Sequence, residues 1–457
     1  MKQINTPICD FVRRYAEKNM ARMHMPGHKG KGTLGIEGLD ITEVMGADSL
    51  YEADGIIKES EENASALFGA HTFYSTEGSS QCIRAMLHLA KMQAWMQNKH
   101  LFVWATRNVH KTFLSAVALL NIDVDWIYGC SEESYLSCSL SADELDKMLQ
   151  KTPYLPTALY LTSPDYLGNV ADIASLAEVC HRYGVLLLVD CAHGAYLKFL
   201  EKSLYPTDLG ADMCCSSAHK TLPVLTGGAY LHISKNADAN LVDAAKNSLA
   251  LFGSTSPSYL ILQSLDAANA YLAGDCRKNL TRTLAKLDEL KKRLISHGYQ
   301  LVGNEPLKIT LATKSFGYTG VDFAAHLRKN GIECEFADND FVVLMPSTDV
   351  GTEELAHIEM VAASLSQKEP ITITPPALAK SESTLRIAYA LLWPNETVAI
   401  EDSVGRILAS PSVSCPPAVP IVLCGDRIDE AAVRAFRYYG VEKVRVVIEL
   451  DRQLDKL

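Results

Sequence analysis

Helix-like and strand-like hydrophobic patterns alternate along the middle of the chain. An amphipathic stretch at 79–98 leads into an apolar run at 100–105, and further apolar runs follow at 158–162 and 185–190. Continuous Val- and Leu-rich runs between helices are typical of parallel strands that are covered on both faces. The pattern therefore predicts an α/β domain between about residues 60 and 235.

Capping signals mark where two of these helices begin. Ser141 and Glu144 have the spacing of a capping box, whose hydroxyl and carboxylate satisfy free amide hydrogens at a helix start. Asp172 is a residue type that caps helix N-termini, and Gly184 is a type that ends helices. We therefore expect one helix after Ser141 and another between Asp172 and Gly184.

The pattern changes after about residue 240 and predicts a smaller α+β domain. Its expected elements are a long charged helix, two short strands and two further helices, at 277–297, at 307–312 and 341–345, and at about 321–330 and 352–366. A proline-rich stretch at 410–420 separates a last βα segment. We therefore divide the chain into an N-terminal arm (1–38), a large α/β domain (39–275) and a C-terminal α+β domain (276–457).

Composition restricts the class of protein. The 457 residues are 48% hydrophobic and 21% charged, which is typical of a folded globular protein rather than a disordered one. The net charge of −11 argues against a nucleic-acid partner, because phosphate binding requires a basic face. Arg13, Arg14, Glu17 and Lys18 interrupt the apolar residues of the N-terminus, so we expect no signal peptide, no membrane partner and a cytoplasmic location.

Cysteine usage predicts neither disulfides nor a metal site. The twelve cysteines are irregularly spaced and include no CxxC pair. Thiols scattered through apolar runs are typical of reduced, buried cysteines in a cytoplasmic protein.

Two polar positions follow apolar strands, where ligands collect in open α/β sheets. Asp190 ends the run 185–190, where a carboxylate is costly to bury unless it meets a cation. Taken alone, such a residue is more often a helix cap or an acceptor for the following loop. Lys220 lies thirty residues later, close to Ser217 and His219. A lysine at the end of a buried strand is a candidate nucleophile, because desolvation favours its neutral amine.

The turn 74–80 (YSTEGSS) precedes the predicted helix at 79–98. Free amide hydrogens and the positive end of the helix dipole suit a phosphate there, and Gly78 permits close approach. Alone, such a turn is usually only a cap. With Asp190 and Lys220 it supplies what pyridoxal phosphate (PLP) requires, namely a phosphate site, an acid for the pyridinium nitrogen and a lysine for the imine.

The dipeptide His-Lys occurs three times, ending at Lys29, Lys111 and Lys220. Lys29 lies in a glycine-rich arm without a preceding strand, and Lys111 precedes the proposed acid. Only Lys220 follows the acid-bearing strand at a βαβ-like distance with serines before it. His110, just after a predicted strand, is placed to lie flat against a ring, although an isolated histidine is more often structural.

These motifs together resemble the fold-type-I, PLP-dependent Orn/Lys/Arg decarboxylases, in particular the short Gram-positive-type members. The matching segments are 26–30 (PGHKG), 38–43 (GLDITE), 109–111 (VHK), 162–164 (TSP), 190–194 (DCAHG), 217–226 (SAHKTLPVLT), 254–259 (STSPSY), 404–407 (VGRI) and the proline stretch around Pro416. The resemblance runs over most of the chain. It implies an aspartate-aminotransferase-like large domain with a mostly parallel sheet and a smaller α+β C-terminal domain.

The resemblance also implies roles for residues that contact the cofactor ring. Lys220 would form the Schiff base, and Asp190 would pair with the pyridinium nitrogen. His110 would stack on the ring, and His193 would lie near the ring oxygen.

Further residues are implied to hold the cofactor phosphate. Ser79, Ser80, Ser217 and His219 would contact it within one subunit. The segment around Thr255 would reach the phosphate of a neighbouring subunit, because family members build their sites at the interface of a homodimer or a higher homo-oligomer.

Several positions depart from the family pattern. Glu77 stands where Asn is usual, Cys191 replaces a common acidic residue, Tyr196 a common His and Gly227 a common Gln. The stretch 415–420 lacks the usual Tyr and Gly. The residues expected to hold PLP are retained, so these departures bear on the choice of substrate.

The expected reaction is decarboxylation of arginine, lysine or ornithine, with arginine slightly preferred. One alternative is a PLP-dependent aminotransferase, in which Arg386 grips a substrate carboxylate rather than forming a structural salt bridge. Another is an inactive PLP-fold protein that acts as a binding or regulatory partner.

Overall fold

The structure is a computed structural model that describes residues 4–129, 134–377, 383–412 and 417–448. Its contacts define two units that interleave along the sequence. The first unit comprises Met1–His100 and Ile173–Arg282, and the second comprises Leu101–Asp172 and Thr283–Leu457. The division into three consecutive segments remains a prediction.

Seven strands form the large sheet. They are β1 (His71–Ser75), β2 (Phe102–Thr106), β3 (Asp123–Ile127), β4 (Ala158–Thr162), β5 (Leu186–Asp190), β6 (Met213–Ser216) and β7 (Ala229–Ile233). The strand order is β1-β7-β6-β5-β4-β2-β3. β7 is antiparallel to both β1 and β6, whereas β5 is parallel to β6 and β2 is parallel to β3 and β4. This mostly parallel sheet confirms the predicted α/β class.

The smaller sheets lie in the second unit. The remaining strands are β8 (Gln300–Val302), β9 (Ile309–Ala312), β10 (Phe336–Ala337), β11 (Phe341–Leu344), β12 (Asn395–Ala399) and β13 (Lys443–Val447). The strands β10, β11, β9 and β8 form an antiparallel sheet in that order, and β12 pairs with β13. They confirm the predicted α+β character of the later part of the chain.

Six of the helices lie where the sequence predicts them. In chain order the helices are α1 (Pro7–Glu17), α2 (Ile56–Phe68), α3 (Gly78–Met96), α4 (Lys111–Leu120), α5 (Ala142–Lys151), α6 (Ile173–Arg182), α7 (Ala218–Thr221), α8 (Ala239–Ala250), α9 (Tyr259–Ala273), α10 (Cys276–Ser296), α11 (Gly320–Lys329), α12 (Thr352–Ala363), α13 (Ile387–Leu392) and α14 (Glu430–Tyr438). The six predicted from the sequence are α3, α5, α6, α10, α11 and α12. Among the described residues, no helix combines the length and the apolar character that crossing a bilayer requires.

Local hydrogen bonds explain why α5 begins where the sequence predicts. The Ser141 hydroxyl accepts a hydrogen bond of 3.3 Å from the Glu144 N–H, and the Glu144 carboxylate accepts one of 2.9 Å from the Ser141 N–H. The predicted capping box is therefore confirmed. The prediction worked because both bonds join residues only three positions apart.

An apolar cluster in the second unit holds the C-terminal segment. Val419, Ile421, Phe436 and Val446 are all buried in it together with Leu136. Burial of each such side chain contributes roughly 1.5–3 kcal/mol, so this segment is anchored mainly by the hydrophobic effect.

Two carboxylates lie at the turn between β10 and β11. One oxygen of Asp338 accepts 2.8 Å hydrogen bonds from the N–H groups of Asp340 and Phe341. One oxygen of Asp340 accepts 2.6 Å hydrogen bonds from the Lys314 ammonium and the Tyr438 hydroxyl. Burial raises the pKa of Asp338 to about 6, although the two N–H donors oppose that shift.

Asp338→Asn tests this buried charge. The folded-state pKa of Asp338, about 6, lies above the ordinary 3.8. The free energy of unfolding therefore falls as the pH rises from 3.8 to about 6, and the Asp338 charge destabilises the folded state most above that range. Asn retains an oxygen for both N–H donors, and we expect it to stabilise the protein by on the order of 2 kcal/mol at about pH 8 and much less at about pH 4. Urea midpoints at both pH values measure the difference.

The exposed Asp349 provides the matched control for that measurement. Asp349→Asn removes a solvated carboxylate, and we expect no change in midpoint at either pH. An equal gain for Asp338→Asn at both pH values would contradict the buried-charge account.

Candidate active site

Lys220 lies on α7, the short helical turn that follows β6. Its amine nitrogen lies 2.8 Å from Nε2 of His193. The Lys220 N–H donates to the Ser217 carbonyl over 3.1 Å, which turns the chain back after the strand. The structure therefore brings together Lys220 and His193, two residues that lie 27 positions apart in the sequence.

Asp190 is the last residue of β5, and only 2% of its surface is exposed. Its Oδ1 accepts a 3.1 Å hydrogen bond from the Ala192 N–H and a 3.7 Å contact from the Cys215 thiol. Burial and the charge of Asp190 raise the pKa of the Cys215 thiol well above its ordinary value, so the thiol keeps its proton and acts as a donor. Asp190 is thus a buried carboxylate that already accepts from two donors.

Three backbone segments converge near the start of α3. Ser217 donates a 2.9 Å hydrogen bond from its hydroxyl to that of Ser79, and the Gly78 N–H donates to the Gly227 carbonyl over 2.7 Å. Gly78 has a φ of +71°, and a Cβ there would lie 4.0 Å from the His219 ring. These polar side chains surround the N-terminus of a long helix, whose dipole favours an anion.

His219 is oriented by the loop that leads into β7. Its Nδ1 and its backbone N–H both donate to the Gly228 carbonyl, over 3.0 and 3.2 Å. Because a carbonyl oxygen only accepts, Nδ1 carries a hydrogen. This loop therefore fixes the ring beside the turn that contains Gly78.

The sequence reasoning missed a buried layer beneath the Gly78 turn. Gln81 donates to the Tyr51 hydroxyl over 2.7 Å and to the Leu249 carbonyl over 2.9 Å, and it accepts from the Ser75 hydroxyl over 2.6 Å. A Cβ on Gly253 would lie 1.9 Å from the Tyr51 oxygen, so only glycine fits at that position. A glutamine inside the apolar side of a helix was the signal that could have revealed this layer.

Two of the departures from the family pattern have a local structural basis. The Glu77 side chain accepts a hydrogen bond from the Ser254 N–H, so its carboxylate holds the segment that carries Thr255. Gly227 has a φ of +100°, and a Cβ there would lie 2.7 Å from the Thr76 carbonyl oxygen. The backbone at residue 227 therefore accommodates glycine and not the usual glutamine.

The other residues named in the sequence analysis lie on several different elements. Ser80 lies in the first turn of α3, and Thr255 is exposed on the segment after α8. Cys191 and Tyr196 are both buried. Of the proline stretch 415–420, residues 415 and 416 lie outside the described part of the chain.

His110 belongs to the second unit, where it caps α4. Its Nδ1 accepts a 3.2 Å hydrogen bond from the Thr112 N–H. Because that N–H can only donate, Nδ1 is the unprotonated ring nitrogen. The place of His110 against a cofactor ring remains a prediction.

The residues of the first unit fit PLP chemically. Lys220 supplies an amine, Asp190 a buried acceptor at the end of the neighbouring strand, and the α3 start a group of hydroxyls suited to a phosphate. Asp190 is the discriminating observation, because a carboxylate that is 2% exposed is costly unless it meets a cation.

The sequence is similar to those of known amino-acid decarboxylases. Residues 6–302 match the sequence model described as "Orn/Lys/Arg decarboxylase, major domain". An arginine decarboxylase of Halalkalibacterium halodurans is 29% identical, with 95% of this chain and 94% of the relative covered. An arginine decarboxylase of Bacillus subtilis is 28% identical, with 94% of this chain and 92% of the relative covered.

Solved structures show the same fold. The crystal structure of a Francisella novicida lysine decarboxylase superposes with a TM-score of 0.79 over 97% of this chain and 81% of that one, at 14% identity. This likeness confirms the expected fold-type-I architecture. The chain therefore belongs to the Orn/Lys/Arg decarboxylase family, a family of PLP-dependent amino-acid decarboxylases.

Proposed function

We propose that this protein holds PLP as a Schiff base on Lys220 and decarboxylates a basic amino acid, with arginine as the preferred substrate. The observation that carries the proposal is the 2.8 Å contact between the Lys220 amine and His193 Nε2, together with the buried Asp190 at the end of β5. Homodimer formation and a cytoplasmic location are part of the same proposal.

Bound PLP supplies an electron sink for the pair released when the bond between Cα and the carboxylate breaks. The chain must keep a proton on the pyridine nitrogen for this to work. Asp190 is suited to that task because it is buried, accepts from the Ala192 N–H and the Cys215 thiol, and is therefore fixed in place. Its charge would stabilise the protonated form of the ring nitrogen.

Lys220 and His193 form the pair that handles protons at the substrate. Their nitrogens lie 2.8 Å apart, within hydrogen-bond distance, so a proton can pass between them. We propose that a proton from this pair is delivered to Cα after CO2 leaves, and that Lys220 then re-forms its bond to the cofactor, which releases the amine product.

The phosphate is assigned to the start of α3. Ser79, Ser80, Ser217 and His219 would hold it by hydroxyl and imidazole hydrogen bonds, with the helix dipole adding to the attraction. Thr255 would reach the phosphate of a second copy, and the bond between Glu77 and Ser254 would hold the Thr255 segment.

Among the three basic amino acids we propose arginine as the substrate, because two relatives that cover nearly the whole chain carry the name arginine decarboxylase. The aminotransferase alternative needed Arg386 to grip a substrate carboxylate. Arg386 forms an ion pair with Asp123, which agrees with a structural role for this side chain. An inactive protein is the weaker alternative, because Lys220, Asp190 and His193 are all retained.

Lys220→Ala tests the cofactor lysine. We expect the variant to lose the visible absorption band of covalently held PLP and to lose its activity, because the amine that forms the Schiff base is removed. Lys29→Ala is the matched control, since Lys29 ends another His-Lys pair but lies exposed in the N-terminal arm. A normal band in Lys220→Ala would refute the assignment.

Asp190→Asn tests whether the charge of Asp190 keeps the pyridine nitrogen of PLP protonated. Asn can still accept from the Ala192 N–H, so the fold should be retained while kcat falls by about 100-fold or more. Asp190→Glu, which keeps the charge, should retain more activity than Asn. The rate of CO2 release in single turnovers measures the effect, and a near-normal rate in Asp190→Asn would exclude the proposed role.

A substrate panel tests the reaction itself. With arginine, lysine and ornithine labelled at the carboxylate, we expect labelled CO2 from the wild type, with the highest kcat/KM for arginine. Lys220→Ala serves as the blank. Amino transfer to a 2-oxo acid without CO2 would favour the aminotransferase, and no turnover of any of the three would favour the inactive protein.

A further inference from the structure

The turn between β2 and α4 is tied to the C-terminal segment 417–421 on both sides of His110. On one side, Arg107 is 6% exposed and its Nη2 donates to the carbonyls of Pro420 and Ile421, over 2.7 and 3.0 Å. Its Nη1 donates to the Tyr135 carbonyl over 3.3 Å. A buried guanidinium that donates to three carbonyls ties the β2–α4 turn to two other backbone segments, at Tyr135 and at 420–421.

On the other side, the Lys111 N–H donates to the Ala418 carbonyl over 2.7 Å. Lys111 is the first residue of α4, so this N–H has no partner within its own helix. Ala418 has a φ of +60°, a conformation that is costly for residues with a Cβ. The segment keeps this conformation because Val419 and Ile421 are buried in the apolar cluster.

His110 stands between these two anchors. Its backbone is extended, with φ −67° and ψ +145°, and its ring accepts from the Thr112 N–H in the first turn of α4. The ring direction therefore follows the position of that turn. Both anchors of the turn reach the same C-terminal segment.

We propose that the segment 417–421 positions the His110 ring through Arg107 and Lys111. Arg107 is then a positioning residue for the reaction, although it lies in the interior of the second unit. The proposal rests on the proposed function in one respect, namely that His110 contacts the cofactor ring.

Lys111→Pro breaks one anchor without removing a side chain from the site. Proline is tolerated at the first position of a helix, and the extended backbone of His110 is the conformation that a residue before proline requires. The proline ring replaces the N–H and pushes the Ala418 carbonyl away. Lys111→Ala, which retains the N–H, is the matched control.

We expect Lys111→Pro to lower kcat by about tenfold with KM changed less than about twofold, because the ring is displaced and not removed. The absorption maximum or fluorescence of bound PLP should shift as well, and Lys111→Ala should show neither effect. Arg107→Lys, which cannot reach all three carbonyls, should act in the same direction. Normal kinetics and spectra in Lys111→Pro would overturn the proposal.

A double-mutant cycle with His110→Ala separates positioning from general stability. If the segment acts through the ring, Lys111→Pro should have no further effect on kcat once the ring is absent. An equal tenfold loss in both backgrounds would show that the segment acts otherwise and would overturn the proposal. A thermal midpoint for each variant detects simple unfolding.

Failure of the proposed function would look different. If the proposed function is wrong, Lys220→Ala should keep a normal visible band, and the proposed positioning of His110 would then be wrong as well. Failure of the positioning role alone would leave the Lys220→Ala result as expected, while Lys111→Pro had equal effects with and without His110.

Discussion

A carboxylate at the end of a buried strand constrains everything around it, because its charge must be met by donors or a cation. Asp190 receives the Ala192 N–H and the Cys215 thiol, both from segments that pass the carboxyl ends of β5 and β6. The same two strand ends lead to His193 and Lys220. The acid, the imidazole and the amine therefore all lie on the chain at the ends of two neighbouring strands.

The second unit contributes a different kind of constraint. Its C-terminal segment is held by apolar burial, and it transmits that rigidity to the β2–α4 turn through the hydrogen bonds of Arg107 and Lys111. The cost of the left-handed Ala418 is offset by the burial of its neighbours. A residue far along the chain can in this way influence the geometry of His110 without approaching the chemistry.

Local sequence patterns predicted several elements because their causes are local. The α5 capping box, the buried strand at Ala158–Thr162 and the long α10 each depend on residues a few positions apart. The antiparallel β7 and the interleaving of the two units could not be predicted in that way. Both arise from pairing between segments separated by many residues, which no short pattern encodes.

By itself, the sequence determined the α/β class. It also predicted Lys220, rather than the other two His-Lys lysines, as the cofactor lysine, and Asp190 as the acid for the pyridinium nitrogen. Residue type and spacing carry this information, since each residue must follow a buried strand. Only the tertiary structure decided that His193 meets the Lys220 amine and that Gln81 supports the Gly78 turn. It also decided the glycine conformation at 227 and the bracing of His110, because contacts at a few ångströms depend on how distant backbones cross.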